Sequence, residues 1–361
     1  SKTRGHDDTP AKQALFRQEA TYTLLAGRNF FKNDPYYNPN LSLVEAYKLA
    51  NPPRTVWPWR RHALLHGEPI RVLMLSVTHQ VGHGVAVVVD IQAQHLLKSG
   101  FEVFIGGPKN GNEFSYPGCQ RVAVEDPAEA ARIAFELRID CVIIHTPPFF
   151  STLRWIGGSI RSVVVDYGEP NPEFFKDADL RRIINAEKQF CVPMADRIVG
   201  ISEAVKAESG IASMEVIRLG NSHLAVWHGQ SDVRVKVRQR LGLEGAFVVL
   251  NVCRFHHAER SYKGVDQYEL FAEEFRLGYP DLASNTVFVL CGKADPKDVE
   301  EMTRSGFMVK ANVTDQEMVD LYAAADCYAS FSQWEGYNLG IGQAQAMGLP
   351  VLASDIPAHR E

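Results

Sequence analysis

Three charged side chains follow apolar segments in the second half of the sequence, where short strands would end. Arg254 directly follows AFVVLNVC, Lys263 lies nine residues later before a helix-like segment, and Glu335 follows CYASFS at a distance of three residues. Two cations at the carboxyl edge of a sheet can neutralise a diphosphate, and a carboxylate beside them can accept hydrogen bonds from hydroxyl groups. The spacing alone leaves open that Arg254 and Lys263 are solvated surface cations.

Glycines accompany two of the predicted strand ends. The segment after Glu335 leads into a helix through Gly336, Tyr337, Asn338, Leu339 and Gly340, and the run IRVLMLSV is followed by Gly82, His83 and Gly84. Glycine lets backbone N–H groups approach an anion or a sugar at the positive end of a helix. Val87 occupies the third glycine position of G-x-G-x-x-G, which disfavours a nicotinamide cofactor. A tight turn without a ligand is the alternative for Gly82 and Gly84.

From Ile70 onwards, short apolar runs alternate with helical periodicity, which is typical of parallel strands buried on both faces. The alternation covers residues 70–225 and then 245–361, with a polar linker at 226–244. We therefore predict an α/β chain with two doubly wound domains and a ligand cleft between the carboxyl ends of the two sheets. Residues 1–69 lack the alternation and are expected to form a helical and irregular N-terminal extension.

The composition excludes several classes of protein. The 361 residues carry 38 basic and 43 acidic side chains without a basic cluster, so we expect no nucleic-acid partner. No apolar run reaches the roughly 18–20 residues of a membrane helix, and the start SKTRGHDDTP is not a secretory signal, which predicts a cytoplasmic protein. The six cysteines form no C-x-x-C pair and are expected to be reduced thiols.

The segment EGYNLGIGQAQAMGLPV, residues 335–351, resembles the E-G-F-G-L-x-x-x-E-A-M-A-x-G-x-P-V signature of retaining glycosyltransferase family 4. The segments ADRIVGISEAVK, LCGKADP and VTDQEMVDLYAAADCYASFS are similar to the family in the same order. The resemblance implies the GT-B fold, in which two Rossmann-like domains face a cleft. It also implies transfer of a sugar from a nucleotide diphosphate sugar with retention of the anomeric configuration.

The same resemblance implies roles for individual positions. Arg254 and Lys263 would hold the diphosphate, Glu335 would bind hydroxyls of the donor sugar, and the loop at Val313 would contact the base. Gln343 replaces the family's second Glu, which holds the ribose diol, and a neutral hydrogen bond is roughly half as strong as a charge-assisted one. Backbone groups of four consecutive residues would support the distal phosphate or the sugar: Tyr337, Asn338, Leu339 and Gly340.

The first domain departs from the family at the end of the strand SVVVDY, where a His is common. Asp166 or Tyr167 stands there instead. Asp166 either takes a catalytic part, by bonding the donor sugar or the acceptor, or caps the following turn as Asx residues do. His145, at the end of DCVIIH, would line the cleft or be satisfied by backbone groups. His83 would face the cleft or be solvated.

No metal site is expected. Asp177 and Asp179 form a D-x-D, but they lie in the helical stretch EFFKDADLRRIINAEKQF rather than at a strand end, so a solvated helix face is favoured. The resemblance likewise implies metal-independent transfer, in which Arg254, Lys263 and a helix terminus replace a divalent cation. It implies no cofactor beyond the nucleotide sugar, which is a substrate.

Two alternatives keep the fold and change the function. A sugar-nucleotide epimerase would need acid/base carboxylates around the sugar ring in addition to Glu335, and a non-catalytic nucleotide-sugar-binding module is suggested by Gln343. As a transferase, the protein is expected to act on a glycan or lipid-linked acceptor in bacterial surface polysaccharide assembly.

The N-terminal extension suggests further partners. The segment at 56–65, with Trp57, Trp59, Arg60 and Arg61, either touches a membrane surface or, as its prolines favour, packs on the first domain. Residues 30–45 weakly resemble the tail of a family 2 glycosyltransferase domain, which implies a longer chain with a further catalytic domain. The family continues beyond the position of residue 361 into further helices, so we expect a truncated second domain.

Overall fold

The structure, a computed structural model, describes residues 69–361 except 81, 110–112, 158 and 221–230, together with residues 12, 19, 38, 40–42, 48 and 49. The predictions for residues 1–69, 56–65 and 30–45 therefore lie outside, or almost entirely outside, the described residues. The described chain forms two parallel sheets flanked by helices, which confirms the predicted α/β architecture of two Rossmann-like domains.

Within the described chain, the first sheet has seven strands, all parallel, in the spatial order β3-β2-β1-β4-β5-β6-β7. The strands are β1 (Arg71–Leu75), β2 (Glu102–Gly107), β3 (Gln120–Ala123), β4 (Cys141–Ile144), β5 (Arg161–Asp166), β6 (Arg197–Gly200) and β7 (Glu215–Val216). Between them lie α1 (Gly84–Lys98), α2 (Pro127–Glu136), α3 (Thr152–Ile156), α4 (Ala178–Cys191) and α5 (Glu203–Ser209). The strand order reverses between β1 and β4, which is where open α/β sheets place ligands.

The second sheet has five described strands, again all parallel, in the order β10-β9-β8-β11-β12. The strands are β8 (Phe247–Val252), β9 (Thr286–Gly292), β10 (Met308–Ala311), β11 (Cys327–Ser330) and β12 (Val351–Ala353). Its helices are α6 (Ser231–Leu241), α7 (Val265–Gly278), α8 (Pro280–Ala283), α9 (Pro296–Arg304), α10 (Asp315–Ala324) and α11 (Leu339–Ala346). Short 3₁₀ turns occur at Phe149–Ser151, Pro172–Phe174, Val192–Met194 and Pro357–His359.

Helices on both faces of a sheet explain why the strands are continuously apolar. In β1, Leu73 and Leu75 pack into the cluster that includes α2, whereas Val72 and Met74 pack against α1 on the other face. All four side chains are at most 2% exposed. Since successive strand side chains point to opposite faces, a strand covered twice needs apolar residues throughout. Each fully buried aliphatic side chain contributes about 1.5–3 kcal/mol, so β1 is a main anchor of this sheet.

Part of the predicted linker is the helix α6, which packs on the second sheet. Arg234 and Arg238 of α6 both pair with Asp326, the residue before β11, at 2.5 and 3.1 Å. Asp326 also accepts the backbone N–H of Val248 at 2.8 Å. The polar composition that broke the strand–helix rhythm thus supplies the arginines that hold α6 to the sheet.

No helix in the described part of the chain has the length and apolar character needed to cross a membrane. All six cysteines are free thiols. Burial raises the pKa of Cys191 and of Cys291 to about 12, so these two thiols stay protonated at neutral pH.

Candidate active site

Loops at the carboxyl ends of the two sheets meet across a cleft. Ser202 Oγ, which precedes α5, donates to the carbonyl oxygen of Gly336 at 2.6 Å. The indole N–H of Trp334 donates to the carboxylate of Glu208 at 3.1 Å. These contacts place the loop after β11 directly against the first sheet domain.

Lys263 and Glu335, both selected from the sequence, form an ion pair on the second-domain side of this cleft. Lys263 Nζ lies 2.7 Å from Glu335 Oε2, and the two side chains are only 12% and 10% exposed. The other carboxylate oxygen accepts the hydroxyl of Ser332 at 2.8 Å. Both oxygens of Glu335 are therefore fixed, and a positive and a negative group stand side by side at the end of β11.

Gly264 explains how Lys263 reaches this position. Gly264 is the residue before α7 and has φ +66°, in the left-handed region. A Cβ at this position would lie 1.9 Å from the carbonyl oxygen of Phe331, an approach that only glycine permits. The Lys-Gly sequence therefore lets the loop after β8 pack on the end of β11.

Arg254 lies in the same loop and is held by a different carboxylate. Arg254 Nη1 is 2.9 Å from Glu259 Oε1, and Nη2 donates to the hydroxyl of Tyr262 at 3.3 Å. The Tyr262 hydroxyl in turn donates to Glu259 at 2.8 Å, and burial raises the pKa of Tyr262 above its ordinary value. This network positions a guanidinium whose side chain is still 32% exposed.

Lys293, which the sequence analysis did not select, bridges the two domains. It follows β9, and its Nζ donates to Gln80 Oε1 at 2.7 Å and to His83 Nε2 at 2.8 Å. Burial first, and then the charge of Arg254, lowers the pKa of Lys293. Burial, Arg254 and Lys293 lower the pKa of His83 to about 4, so this imidazole is neutral at neutral pH and can accept the bond. The only signal in the sequence was a Lys directly after a strand end, in LCGKADP.

Two helices begin on opposite sides of the cleft at close range. A Cβ on Gly84, the first residue of α1, would lie 3.4 Å from Cδ1 of Leu339, the first residue of α11. Gly82, just before α1, has φ +87°. Helix N-termini expose N–H groups and carry roughly half a positive charge. The two first turns therefore add to the positive field of the nearby cations.

Close packing also explains the glycines after Glu335. A Cβ on Gly336 would lie 2.0 Å from the carbonyl oxygen of Tyr167, and a Cβ on Gly340 would lie 2.2 Å from the hydroxyl of Tyr328. Gly336 therefore allows the two domains to touch, and Gly340 allows α11 to lie close to β11.

Asn338 and Tyr337 join this loop to its surroundings. Asn338 Oδ1 accepts the N–H of Ile341 at 3.2 Å and so caps α11, while its Nδ2 donates to Ser330 Oγ at 3.0 Å. Tyr337 packs against the core of the first domain. The predicted backbone contacts of this loop with a ligand stay a prediction.

Val313 and Gln343 belong to the second sheet domain. Val313 is half-buried and precedes Thr314, whose side chain caps α10. Gln343 is 6% exposed, and its Oε1 accepts the hydroxyl of Tyr322 at 2.8 Å. The side-chain oxygen of Gln343 is thus already engaged inside the protein, and a contact with ribose stays a prediction.

Asp166 is enclosed by protein rather than open to the cleft. It is 1% exposed, and its Oδ1 lies 2.5 Å from Lys188 Nζ and accepts the N–H of Gly168 at 2.8 Å. This geometry corresponds to the turn-capping alternative. Its other oxygen, Oδ2, is buried and has no partner in the described chain, and a catalytic role for Asp166 stays a prediction.

His145 is likewise enclosed. It is 1% exposed, and its Nδ1 lies 2.9 Å from the hydroxyl of Tyr167. Burial lowers the pKa of His145 to about 3 and raises that of Tyr167, so both groups are neutral at neutral pH. The hydrogen bond to Tyr167 therefore links His145 to the loop after β5. The other ring nitrogen of His145, Nε2, is buried and has no partner in the described chain.

The D-x-D aspartates lie on the exposed start of α4. Asp177 accepts the N–H of Leu180 at 3.1 Å as the helix cap, and Asp179 pairs with Arg182 while 89% exposed. This placement agrees with a solvated helix face.

Comparison with known proteins adds two findings. Residues 246–361 match the family model of glycosyl transferases group 1. A stretch of 54 residues is 43% identical to the uncharacterized protein y4gI of Sinorhizobium fredii, but it spans only 15% of this chain and 6% of that protein.

Solved structures resemble most of the chain at low sequence identity. The Anabaena protein HepE, solved with UDP and glucose, aligns over 81% of this chain and 82% of its own with 20% identity and a TM-score of 0.62. Sucrose-phosphate synthase of Thermosynechococcus elongatus aligns over 80% of this chain and 82% of its own, with 15% identity and a TM-score of 0.62. WaaG, a glycosyltransferase involved in lipopolysaccharide biosynthesis, aligns over 79% of this chain and 81% of its own, with 16% identity and a TM-score of 0.60. These likenesses establish the GT-B fold for this chain.

Proposed function

We propose that this protein is a retaining glycosyltransferase that moves a sugar from a nucleotide diphosphate sugar to a glycan or lipid-linked acceptor. The observation that carries the proposal is the buried Lys263–Glu335 pair, which lies between the end of β11 and the helix α11 that begins close to α1. It combines a cation for the leaving diphosphate with a fixed carboxylate for the hydroxyls of the donor sugar. The match of residues 246–361 to the group 1 family model supports the same assignment.

The leaving diphosphate is the group that this cleft would stabilise best. Negative charge builds on the phosphate as the glycosidic bond breaks, and fixed positive groups lower the free energy of that state. Lys263, Arg254 and Lys293 supply three cations, and the first turns of α1 and α11 add N–H groups. We propose that this positive field makes a catalytic metal unnecessary for transfer.

The sugar would be positioned rather than attacked by the protein. Glu335 is anchored by Ser332 and can accept hydrogen bonds from hydroxyls, whereas Asp166 is tied to Lys188. Because the described residues of the cleft include no obvious covalent nucleophile, we infer same-face attack by the acceptor, whose proton passes to the leaving phosphate oxygen. Retention follows from that geometry.

UDP-glucose is the first donor to test, because the Anabaena protein HepE has been solved in complex with UDP-glucose. Gln343 is neutral where the family resemblance implies a Glu, so the donor panel also includes ADP-, GDP- and dTDP-sugars.

The test is a transfer assay with labelled donors and a panel of oligosaccharide and lipid-linked acceptors. We expect transfer by the wild-type protein and by Lys236→Met, a control on the exposed face of α6, and none by Lys263→Met or Glu335→Gln. Equal transfer by all four proteins would contradict the proposed site. Conversion of the donor to an epimer without an acceptor would instead indicate the epimerase.

A further inference from the structure

A cluster of three potential metal ligands lies beside the loop that carries Arg254. His256 Nδ1 is 3.5 Å from Asp295 Oδ2 and 3.9 Å from Asp298 Oδ2, and the three ligand atoms all lie within 4.8 Å of one another. His256 belongs to the loop after β8, whereas Asp295 and Asp298 belong to the start of α9. These separations are long for direct hydrogen bonds, so the three groups surround a common point rather than bonding one another.

Asp298 is the most buried of the three groups. Its side chain is 9% exposed, and within the described chain it makes no hydrogen bond and only the 3.9 Å contact with His256. Buried carboxylates are normally hydrogen-bonded, paired at close range or bound to a metal. A cation at the centre of the cluster would give the Asp298 carboxylate a close partner.

Asp295 points to the same place by a different argument. It stands at the residue before α9 with an extended backbone, which is the position where Asp usually accepts an N–H of the first helical turn. Its side chain makes no such bond, and its Oδ2 lies towards His256 instead. The Asp295 side chain is 74% exposed, so it can turn towards an ion in the cluster without losing a helix-capping bond.

We propose that His256, Asp295 and Asp298 bind one divalent transition-metal ion, with water completing its coordination. Zinc and manganese accept one imidazole nitrogen and two carboxylate oxygens, with bonds of about 2.0–2.2 Å that the cluster can reach by small side-chain shifts. Magnesium and calcium prefer oxygen ligands alone and are expected to bind more weakly. This site is separate from the Lys263–Glu335 pair, and its occupancy does not depend on the proposed function.

The bound ion would tie the loop after β8 to α9. His256 is two residues from Arg254, and Asp295 is two residues from Lys293, so the ion would fix the relative position of two cations of the candidate active site. Arg260 already joins the same two segments through Glu301 at 2.8 Å. The metal-free protein is therefore expected to stay folded, which makes it usable as a reference.

The test is metal binding to EDTA-treated protein, measured by elemental analysis after desalting and by EPR titration with Mn²⁺. We expect about one ion of Zn²⁺ or Mn²⁺ per chain, and a rise in Tm of about 5 °C when the metal is at about a hundred times Kd. His256→Ala and Asp298→Asn should each lose the ion and the rise in Tm. Asp281→Asn, on the exposed start of α8, should keep both.

Three results would overturn the proposal: no bound ion in the wild-type protein, equal binding by wild type and Asp298→Asn, or equal affinity for Mg²⁺ and Zn²⁺. If His256→Ala fails to fold, Asp298→Asn alone decides, because it preserves the size of the side chain. Neither variant changes a residue assigned to substrate binding.

Discussion

Replacing Lys263 by Met separates the two roles that its ammonium plays, as the partner of Glu335 and as a cation for the diphosphate. In the wild-type protein the Lys263–Glu335 pair is 2.7 Å long and about nine-tenths buried. Lys263→Met removes the positive charge and leaves Glu335 with the Ser332 hydroxyl as its remaining described partner. Glu335→Gln does the reverse, because it keeps the ammonium and removes its anionic partner.

The expected loss of stability follows from this burial. Removing one partner of a buried ion pair costs roughly 3–5 kcal/mol, because the other charge is left uncompensated. The Ser332 hydroxyl still serves Glu335, so we expect about 3 kcal/mol for Lys263→Met. In the double variant with Glu335→Gln no orphan charge is left, and about 2 kcal/mol should be recovered. Urea unfolding of the four proteins measures this coupling.

Lys263→Met and Glu335→Gln should also differ in their affinity for UDP. A hydrogen bond to a charged group is worth about 1.5–3 kcal/mol, so Lys263→Met should weaken UDP binding by about 10-fold to 150-fold. Glu335→Gln frees the ammonium and should bind UDP at least as tightly as wild type. Calorimetric titration gives both affinities, with Lys236→Met as the control. Unchanged UDP affinity in Lys263→Met, or equal weakening in both variants, would refute the assignment of Lys263 to the diphosphate.

Three further outcomes follow from the loop contacts. Gly336→Ala places a Cβ 2.0 Å from the carbonyl oxygen of Tyr167, so it should cost about 1–3 kcal/mol in a thermal unfolding experiment and abolish transfer. Asp166→Asn leaves Lys188 uncompensated and should lower the free energy of unfolding by about 3 kcal/mol. Adding Lys188→Met should restore most of that loss, and additive effects of the two substitutions in urea unfolding would contradict the ion pair. The pKa of His145 is about 3 in the folded protein and 6.5 in the unfolded chain. The unfolded chain therefore takes up the proton first, and the free energy of unfolding falls by about 1.4 kcal/mol per pH unit as the pH drops from 6.5 towards 3. His145→Gln should therefore reduce the difference in unfolding free energy between pH 7 and pH 5, and an unchanged difference would count against a buried neutral imidazole.

The fold was predictable because its signal is local. Runs such as IRVLMLSV and AFVVLNVC are apolar at nearly every position, and the structure buries Val72–Leu75 of β1 and Val248–Leu250 of β8. The positions of Lys263 and Glu335 were predictable for a related reason. Each follows a strand, and the carboxyl ends of parallel strands meet at one edge of a sheet.

The contacts between the domains were not predictable from the same signals. Lys293 meets Gln80 and His83 only because the two sheets face each other, and nothing local to LCGKADP encodes that orientation. The pairing of Asp166 with Lys188 similarly depends on where α4 lies relative to β5. Sequence reasoning could offer turn-capping as an alternative for Asp166, but it could not identify the buried cation beside it.

The most direct test of the proposed transfer is NMR analysis of the products formed from a ¹³C-labelled nucleotide sugar and an acceptor found in the transfer assay. We predict equal amounts of nucleoside diphosphate and of a new glycoside with the anomeric configuration of the donor, and neither product with Glu335→Gln. A glycoside of inverted configuration, a free epimerised donor, or the same products from Glu335→Gln would contradict this account.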